Sequence, residues 1–160
     1  VEFLICQEFD IFFLCVIFRI PTNLVGYMKF STRSTYGLRA MINLAQNWQK
    51  GSIPLSSIAK NENISLGYLE RIFAVLKKAK LVKSEKGASG GYVLSSSPGD
   101  IDVYSIINAL DGEASSFHCM DEGGKVYCNE KCECSVEPAL LKISQAISAA
   151  LKNIKLKDLI

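Results

Sequence analysis

Apolar residues recur every three or four positions in the first half of the chain, a spacing that predicts amphipathic helices. The first helix carries an apolar stripe formed by Leu38, Met41, Ile42, Ala45 and Trp48. Gly51 ends this helix, and Pro54 and Ser56 begin a short second helix over residues 56–60. Residues 61–63, Asn-Glu-Asn, follow it as a polar turn. Two helices are therefore expected before residue 64.

A third helix follows the polar turn, with Ser65 as its N-cap. Its inward face is formed by Leu69, Ile72, Phe73 and Leu76. Two helices joined by a tight turn, behind a longer first helix, make up the helix-turn-helix plan. The sequence therefore predicts that the third helix recognises DNA.

The outward face of the third helix combines small and basic residues. It consists of Gly67, Arg71, Ala74 and Lys78, with Glu70 on its flank. An arginine can donate two hydrogen bonds to guanine, and a carboxylate can accept one from cytosine. Exposed helices commonly carry Lys and Arg without any partner, so this face alone leaves an ordinary solvated surface as the alternative.

The segment after the third helix predicts a β-hairpin. Residues 81–86 form one strand, the Gly-rich residues 87–91 form a loop, and residues 92–94 form the returning strand. A hairpin directly after a recognition helix is a wing, whose glycines allow close approach to phosphate and whose Lys86 supplies charge. A phosphate-binding loop is disfavoured, because no Lys-Ser/Thr pair and no helix follow the glycines.

Two more helices are expected in the last third of the chain. A short one runs from about Asp102 to Leu110 and ends at Gly112, and Glu137-Pro138 opens a longer one. The longer helix has a coiled-coil-like seam of Leu140, Ile143, Ile147, Ala150 and Ile154. This seam packs either on its own domain or on a second subunit.

The first 27 residues differ from the remainder. Their apolar run of about ten residues, Ile11–Ile20, contains Arg19 and is shorter than the roughly 20 residues that span a bilayer. A secretory signal would place basic residues before its apolar core, whereas the early charges here are acidic. We expect a start assigned too early, with the natural chain beginning at Met28. A membrane-associating segment or an extra helix is the alternative.

Charge is distributed unevenly along a chain whose net charge is only +2. Residues 28–98 contain eleven Lys and Arg against three Glu, and residues 99–160 contain six Lys against ten acidic residues. A basic module followed by an acidic one favours a polyanionic partner for the first module, although a charged surface without a partner gives the same counts. We therefore expect a DNA-binding domain at 28–98 and a second functional region at 99–160.

Four of the six cysteines lie in one short stretch: Cys119, Cys128, Cys132 and Cys134. With no secretory signal, the expected compartment is the reducing cytoplasm, where clustered thiols bind metals or undergo redox chemistry. Zinc sites use paired C-x2-C knuckles, which are absent here, whereas iron–sulfur clusters accept looser spacing. Redox-reactive or vestigial thiols are the third interpretation.

The stretches MKFSTRSTYGLRAMINLA and SLGYLERIFAVLKKAKLVKSEKGASGGYVLS resemble the Rrf2 family of bacterial winged-helix transcription regulators. The similarity runs from Met28 to the C-terminus. It implies a mainly α fold with a small β-hairpin wing and a long C-terminal dimerisation helix. It also implies a homodimer that reads a near-palindromic double-stranded DNA operator, with one recognition helix per half-site.

The resemblance also indicates which residues contact DNA. Gly67 and Glu70 on the third helix, and residues 86–89 on the wing, match positions that touch DNA in family members. In one such member the residue matching Glu70 discriminates between operator classes, and Gly67 replaces a side-chain donor, which predicts a different base preference. The candidate DNA-binding residues are Ser65, Gly67, Tyr68, Glu70, Arg71, Lys78, Lys86 and Ser89.

By the same resemblance, residues 117–137 form a sensor loop. Cluster-binding members carry three cysteines there, the last two separated by five residues, which assigns Cys119, Cys128 and Cys134 as ligands and leaves Cys132 as an extra thiol. The fourth ligand is open, because Glu137 and Thr35 stand where members have His and Asp. Its candidates are Glu137, Cys132 and His118.

The sequence thus predicts a DNA-binding regulator whose operator affinity depends on an iron–sulfur cluster, 2Fe–2S ahead of 4Fe–4S. The alternative is a cluster-free repressor controlled by a protein partner or by thiol oxidation. An enzyme is disfavoured, since His118 is the only histidine and no Ser-His-Asp order exists. A nucleophilic pair of Cys119 and His118 is also disfavoured, because adjacent residues on a loop rarely face each other.

Overall fold

Helices dominate the structure, a computed structural model that describes residues 30–87, 90–112 and 135–160. In chain order the elements are α1 (Thr32–Gln46), α2 (Leu55–Glu62), α3 (Leu66–Lys78), β1 (Val82–Glu85), β2 (Gly91–Leu94), α4 (Val103–Asp111), α5 (Glu137–Asn153) and a 3-10 helix (Leu156–Leu159). The predicted mainly helical fold with one small hairpin is confirmed. Over these ranges, no helix has the length and apolar content that crossing a membrane requires.

Helix α1 ends earlier than the sequence pattern predicts. Its last residue is Gln46 rather than a residue next to Gly51, so Trp48 lies beyond the helix. The physical reason is a local cap: the side-chain amide of Asn47 donates to the carbonyl of Asn43 at 2.9 Å, which satisfies a carbonyl that the helix itself leaves free.

Helix α2 is longer than predicted and includes most of the expected polar turn. Its C-cap, Asn63, adopts a left-handed conformation with φ 53° and ψ 45°. The backbone N–H of Asn63 bonds to the carbonyls of Ala59 and Lys60, which closes the last turn. The chain therefore turns within residues 63–65 and leads directly into α3.

One hydrophobic core joins the helix-turn-helix to the C-terminal elements. The apolar faces of α1, α3 and α4 meet there, and the strands and the 3-10 helix add to it. Its fully buried members include Met41, Ile58, Leu69, Ile72, Phe73, Leu76, Ile106, Leu110 and Leu156. Residues on both sides of Pro98 thus share this core, while the assignment of separate roles to residues 28–98 and 99–160 stays a prediction.

The hairpin pairs β1 with β2 in an antiparallel register that matches Val82 with Leu94 and Glu85 with Gly91. A further bridge joins Ile53, in the segment between α1 and α2, to Tyr92 on β2. Their backbone groups exchange two hydrogen bonds of 2.9 and 3.0 Å. The hairpin is therefore attached by backbone hydrogen bonds to the segment that precedes α2.

The C-terminal residues are tied to the start of α4. Asp102 is the N-cap of α4, and its carboxylate accepts from the Ser105 backbone N–H at 2.7 Å and from the Lys155 ammonium at 3.3 Å. Burial alone raises the pKa of the Asp102 carboxyl, but the hydrogen bonds from Ser105 and Lys155 outweigh burial and leave this pKa below its ordinary value. Asp102 is therefore held as an anion at the positive end of α4.

Candidate nucleic-acid interface

The outward face of α3 is open to solvent along its whole length. Gly67, Glu70, Arg71, Ala74 and Lys78 are all exposed, as the helical spacing predicts. The opposite face, with Phe73 among its members, is fully buried. The sequence-predicted DNA-reading residues of this helix therefore share one accessible surface on a rigid element.

Ser65 occupies the predicted N-cap position of α3, but its side chain makes no capping hydrogen bond. Its backbone carbonyl instead accepts from the N–H groups of Tyr68 and Leu69, both at 3.1 Å. Within the described residues the exposed Ser65 hydroxyl has no partner and is available to a ligand at the helix N-terminus, where the dipole and free N–H groups favour phosphate.

Tyr68 differs from the other candidates on α3 because it is only partly exposed. Its ring meets the ring of Tyr36 on α1 edge-on, with centroids 6.0 Å apart and planes at 87°. The Arg39 guanidinium lies 5.8 Å from the centroid of the Tyr36 ring. Tyr68 therefore anchors the start of α3 on α1.

Polar contacts hold α2 against α1. The Glu62 carboxylate accepts from Arg39 Nε and from Asn43 Nδ2, each at 3.1 Å. Arg39 also donates to the backbone carbonyl of Glu62 at 2.8 Å. Both side chains of the ion pair are partly exposed, so the ion pair stabilises the fold only slightly. The three hydrogen bonds nevertheless fix the end of α2, from which the following turn and α3 begin.

Aromatic and polar contacts hold the wing against α3. The ring of Phe73 on α3 lies 4.7 Å, centroid to centroid, from the ring of Tyr92 on β2, with planes at 65°. Lys77 Nζ donates to Ser84 Oγ on β1 at 2.6 Å. The hairpin and the recognition helix therefore present their exposed faces as one unit.

This combined surface is strongly basic. Between Ser65 and Gly87 the chain carries six exposed basic residues, Arg71, Lys77, Lys78, Lys80, Lys83 and Lys86, against the exposed Glu70 and Glu85. Such an excess attracts the phosphate backbone of DNA. Lys77 lies beside the outward face of α3 and is a further basic residue that helical periodicity does not single out. Its place between helix and wing depends on the tertiary contact with Ser84.

Several predicted site residues lie outside the described ranges. They are Ser89 of the wing, residues 1–27, His118, and all four clustered cysteines, Cys119, Cys128, Cys132 and Cys134. Glu137 is described and is the first residue of α5, where it is partly buried. In the described part of the chain, no three His, Cys, Asp or Glu side chains converge as metal ligands do.

Comparison with known proteins gives a consistent result. The Rrf2 family profile, described as an iron-dependent transcriptional regulator, matches residues 30–160. The HTH-type transcriptional regulator IscR of Klebsiella pneumoniae subsp. pneumoniae is 33% identical over 133 residues, which cover 83% of this chain and 80% of the relative.

Solved structures agree in both sequence and fold. CymR (YrzC), the global cysteine regulator of B. subtilis, is 38% identical with a TM-score of 0.69, over 82% of this chain and 95% of that one. IscR of T. potens is also 38% identical, with a TM-score of 0.67, over 82% of this chain and 85% of that one. The exposed recognition helix, the wing beside it and these relatives agree: the chain belongs to the Rrf2 family of winged-helix transcriptional regulators.

Proposed function

We propose that this regulator binds a near-palindromic double-stranded DNA operator as a homodimer, and that an iron–sulfur cluster held by loop cysteines modulates its operator affinity. The observation that carries the DNA-binding half of this proposal is the exposed, basic face shared by α3 and the hairpin. The contacts of Phe73 with Tyr92 and of Lys77 with Ser84 keep the two elements in one orientation, which suits simultaneous contact with a groove and its flanking phosphates.

The proposed contacts are of two kinds, to base edges and to the sugar-phosphate backbone. Arg71 and Glu70 reach base edges, because a guanidinium matches guanine and a carboxylate matches cytosine. Gly67 allows close approach of the helix, since no atom lies within 4 Å of a Cβ added there. The remaining candidates, Ser65, Tyr68, Lys78, Lys86 and Ser89, contact the sugar-phosphate backbone and set the register on the duplex.

Replacing Arg71 by Ala tests the base-reading role. We expect operator binding to weaken by about 1–3 kcal/mol, or roughly 5- to 150-fold in Kd, while binding to scrambled DNA changes little. Fluorescence anisotropy with a duplex from the protein's own promoter region, at fixed salt, measures both affinities. Arg71 is exposed and makes no hydrogen bond to the described residues, so its removal leaves the fold intact.

Lys157→Ala is the matched control for Arg71→Ala. Lys157 is an exposed basic residue on the 3-10 helix and is remote in sequence from α3 and the hairpin. Its replacement removes the same charge and should leave the operator Kd within about twofold of the wild-type value, because an exposed charge outside the proposed interface makes no base contact and is screened by salt. Equal losses in the two variants would contradict a base contact by Arg71.

The homodimer is supported by the exposure of α5. This helix has 17 residues, of which only Leu151 is buried, and within the described ranges its contacts are chiefly with α4. Ile143 is 46% exposed, and Leu140 and Ile147 are only partly covered. A second copy of α5 is the partner proposed for this seam, and two-fold symmetry then accounts for a near-palindromic operator.

The cluster proposal depends on the chemistry of the donor set. Cys119, Cys128 and Cys134 supply three thiolates, the ligands that iron–sulfur clusters use. Glu137, Cys132 and His118 are the candidates for the fourth ligand, and Glu137 stands where the chain enters α5. A weak or non-thiolate fourth ligand would make a bound cluster, 2Fe–2S ahead of 4Fe–4S, easily oxidised or lost, which suits a sensor.

Anaerobic purification tests the cluster. We expect a coloured protein that contains iron and acid-labile sulfide, whereas a Cys134→Ser variant should lose most of the colour and iron because one thiolate ligand is removed. Visible absorbance with iron and sulfide assays gives the measurement, and wild-type protein purified in parallel is the control. A colourless, iron-free wild-type protein after anaerobic reconstitution would remove the cluster from the proposal.

A cluster-free regulator is the second candidate, controlled by a protein partner or by thiol oxidation. It is favoured by the similarity to CymR of B. subtilis and to the oxidised form of Staphylococcus aureus CymR, which is 34% identical with a TM-score of 0.64. The iron assay separates the two candidates, since only the first requires iron. The proposed DNA contacts are common to both.

A further inference from the structure

The end of α4 is bonded to the start of α1 by a single carboxylate. Asp111, the last residue of α4, accepts a hydrogen bond from Ser31 Oγ at 2.6 Å and another from Ser34 Oγ at 2.5 Å. Ser34 is 1% exposed whereas Asp111 is exposed, so the bond between them is only partly shielded from water. Bonds to an ionised acceptor are shorter and roughly twice as strong as neutral ones. Asp111 therefore fixes the α4 terminus on α1.

The carboxylate also complements the helix that it touches. Ser31 is the N-cap of α1, and its side chain accepts from the Ser34 backbone N–H at 3.1 Å. The first turn of α1 contains no acidic residue of its own. An anion near a helix N-terminus is stabilised by the helix dipole, so Asp111 provides from α4 the negative charge that α1 lacks.

The residue before Asp111 continues this contact into the recognition helix. Gly37 on α1 lies so close to Leu110 that an added Cβ would overlap Leu110 Cδ1, and the same Cβ would be 3.5 Å from Ile72 Cγ2 on α3. Leu110 and Ile72 are 2% and 1% exposed. A close-packed interior transmits small shifts rather than absorbing them. The last turn of α4, the first turns of α1 and the buried face of α3 therefore meet at one place.

Along the chain, the α4 side of this contact lies between the recognition helix and the segment with the clustered cysteines. Asp111 lies eight residues before Cys119, and α4 is the described element that leads into the segment with the clustered cysteines. Ile72 is adjacent to Arg71, whose side chain faces outward on α3. We name Ser31, Ser34, Gly37, Leu110 and Asp111 the α1–α4 junction.

We propose that Asp111 is a positioning residue that couples the state of the cysteine segment to DNA affinity through the α1–α4 junction. This inference is conditional on the proposed function, in which a cluster modulates operator binding. The coupling is a thermodynamic linkage between the two sites. A shift of the end of α4 changes the bonds to Ser31 and Ser34. Through the contact of Gly37 with Leu110, the same shift changes how α3 packs. Removing the carboxylate should reduce the effect of the cluster on operator affinity, while the cluster-binding cysteines and the DNA-binding surface both remain.

The test compares Asp111→Asn with Asp100→Asn in the full-length chain. Both substitutions remove one negative charge, but Asp100 is exposed and its side chain has no partner among the described residues. For each protein, the operator Kd is measured by anisotropy in the anaerobically reconstituted form and in the iron-free form. We expect the wild-type and Asp100→Asn proteins to show a ratio of about 5- to 150-fold between the two forms, the range typical of coupled sites.

Asp111→Asn should bring this ratio to within about threefold of unity. Its visible absorbance and iron content should match the wild type, which shows that the cluster itself is retained. Ser34→Ala removes one of the two hydrogen-bond donors to Asp111 and leaves the N-cap in place. This variant should reduce the ratio partially. It tests the inference even if Asp111→Asn fails to fold. Thermal unfolding of every variant separates a loss of coupling from a loss of stability.

Two outcomes overturn the inference in distinguishable ways. If wild type shows the ratio and Asp111→Asn or Ser34→Ala retains it in full, with only a lower Tm, the junction is structural and the proposed function stands. If wild type binds no iron, or its two forms bind the operator equally, the proposed cluster control fails and the coupling fails with it.

Discussion

Phe73→Ala should lower the free energy of unfolding by about 3–5 kcal/mol, the usual cost of removing a buried phenylalanine from a core. Phe73 is 0% exposed and belongs to the hydrophobic core of the helix-turn-helix. Its ring also contacts Tyr92 on β2 at a centroid distance of 4.7 Å. The substitution therefore leaves a cavity and at the same time removes the aromatic contact between recognition helix and wing.

Urea unfolding followed by far-UV circular dichroism measures this loss. Leu66→Ala is the control on the same helix, because Leu66 is 42% exposed and its removal creates no cavity. We expect the control to change stability by less than about 0.5 kcal/mol. A Phe73→Ala protein that unfolds at the same urea concentration as wild type would mean that α3 does not pack on the core as described.

Gly91→Ala should destabilise the protein by about 3 kcal/mol, the upper end of the usual cost of overpacking. An added Cβ at Gly91 would overlap the backbone carbonyl of Ile53 and would also lie 2.8 Å from Pro54 N. These are backbone atoms, so no side-chain rotation relieves the contact. The bridge between Ile53 and Tyr92 would have to open, and the hairpin would lose its attachment to the segment before α2.

Thermal unfolding and operator binding together test the role of Gly91. For thermal unfolding the control is Gly67→Ala, since an added Cβ there meets nothing within 4 Å and alanine is a better helix residue by up to about 1 kcal/mol. Because Gly67 is itself a proposed DNA contact, Lys157→Ala is the control for operator binding. We expect the control to match or exceed the wild-type Tm, whereas Gly91→Ala should lower both the Tm and the operator affinity. An unchanged Tm in Gly91→Ala would show that the wing is not held by the Ile53 segment.

These predictions share a structural cause. The surface proposed to contact DNA is carried by α3 and the hairpin, and each is held from behind by a different contact. Phe73 joins helix to strand, Gly91 lets the strand approach the Ile53 segment, and Glu62 sets the end of α2. The proposed operator recognition therefore depends on contacts behind this surface as well as on the residues that face DNA.

The outward face of α3 could be predicted from the sequence because helical periodicity is local. Apolar residues that recur every three or four positions must share one side of a helix, so the opposite side, with Gly67 and Arg71, is exposed by default. The hairpin followed from an equally local signal, a Gly-rich loop between two short apolar runs. Helix ends were less predictable, as at Gln46 and Glu62, because they depend on individual caps.

The order of the elements, the exposed basic face, the position of the cysteine segment and the family resemblance all follow from local patterns in the sequence. The side-chain partners that join separate elements are visible only in the folded chain: Lys77 with Ser84 seven positions away, Arg39 with Glu62, and Asp111 with Ser31 and Ser34 across about 80 positions. The reason is physical. Periodicity and turn chemistry act within a few residues, whereas the partners of a polar side chain depend on how whole helices cross. The close crossing of α1 and α4 at Gly37 leaves no local pattern in the sequence.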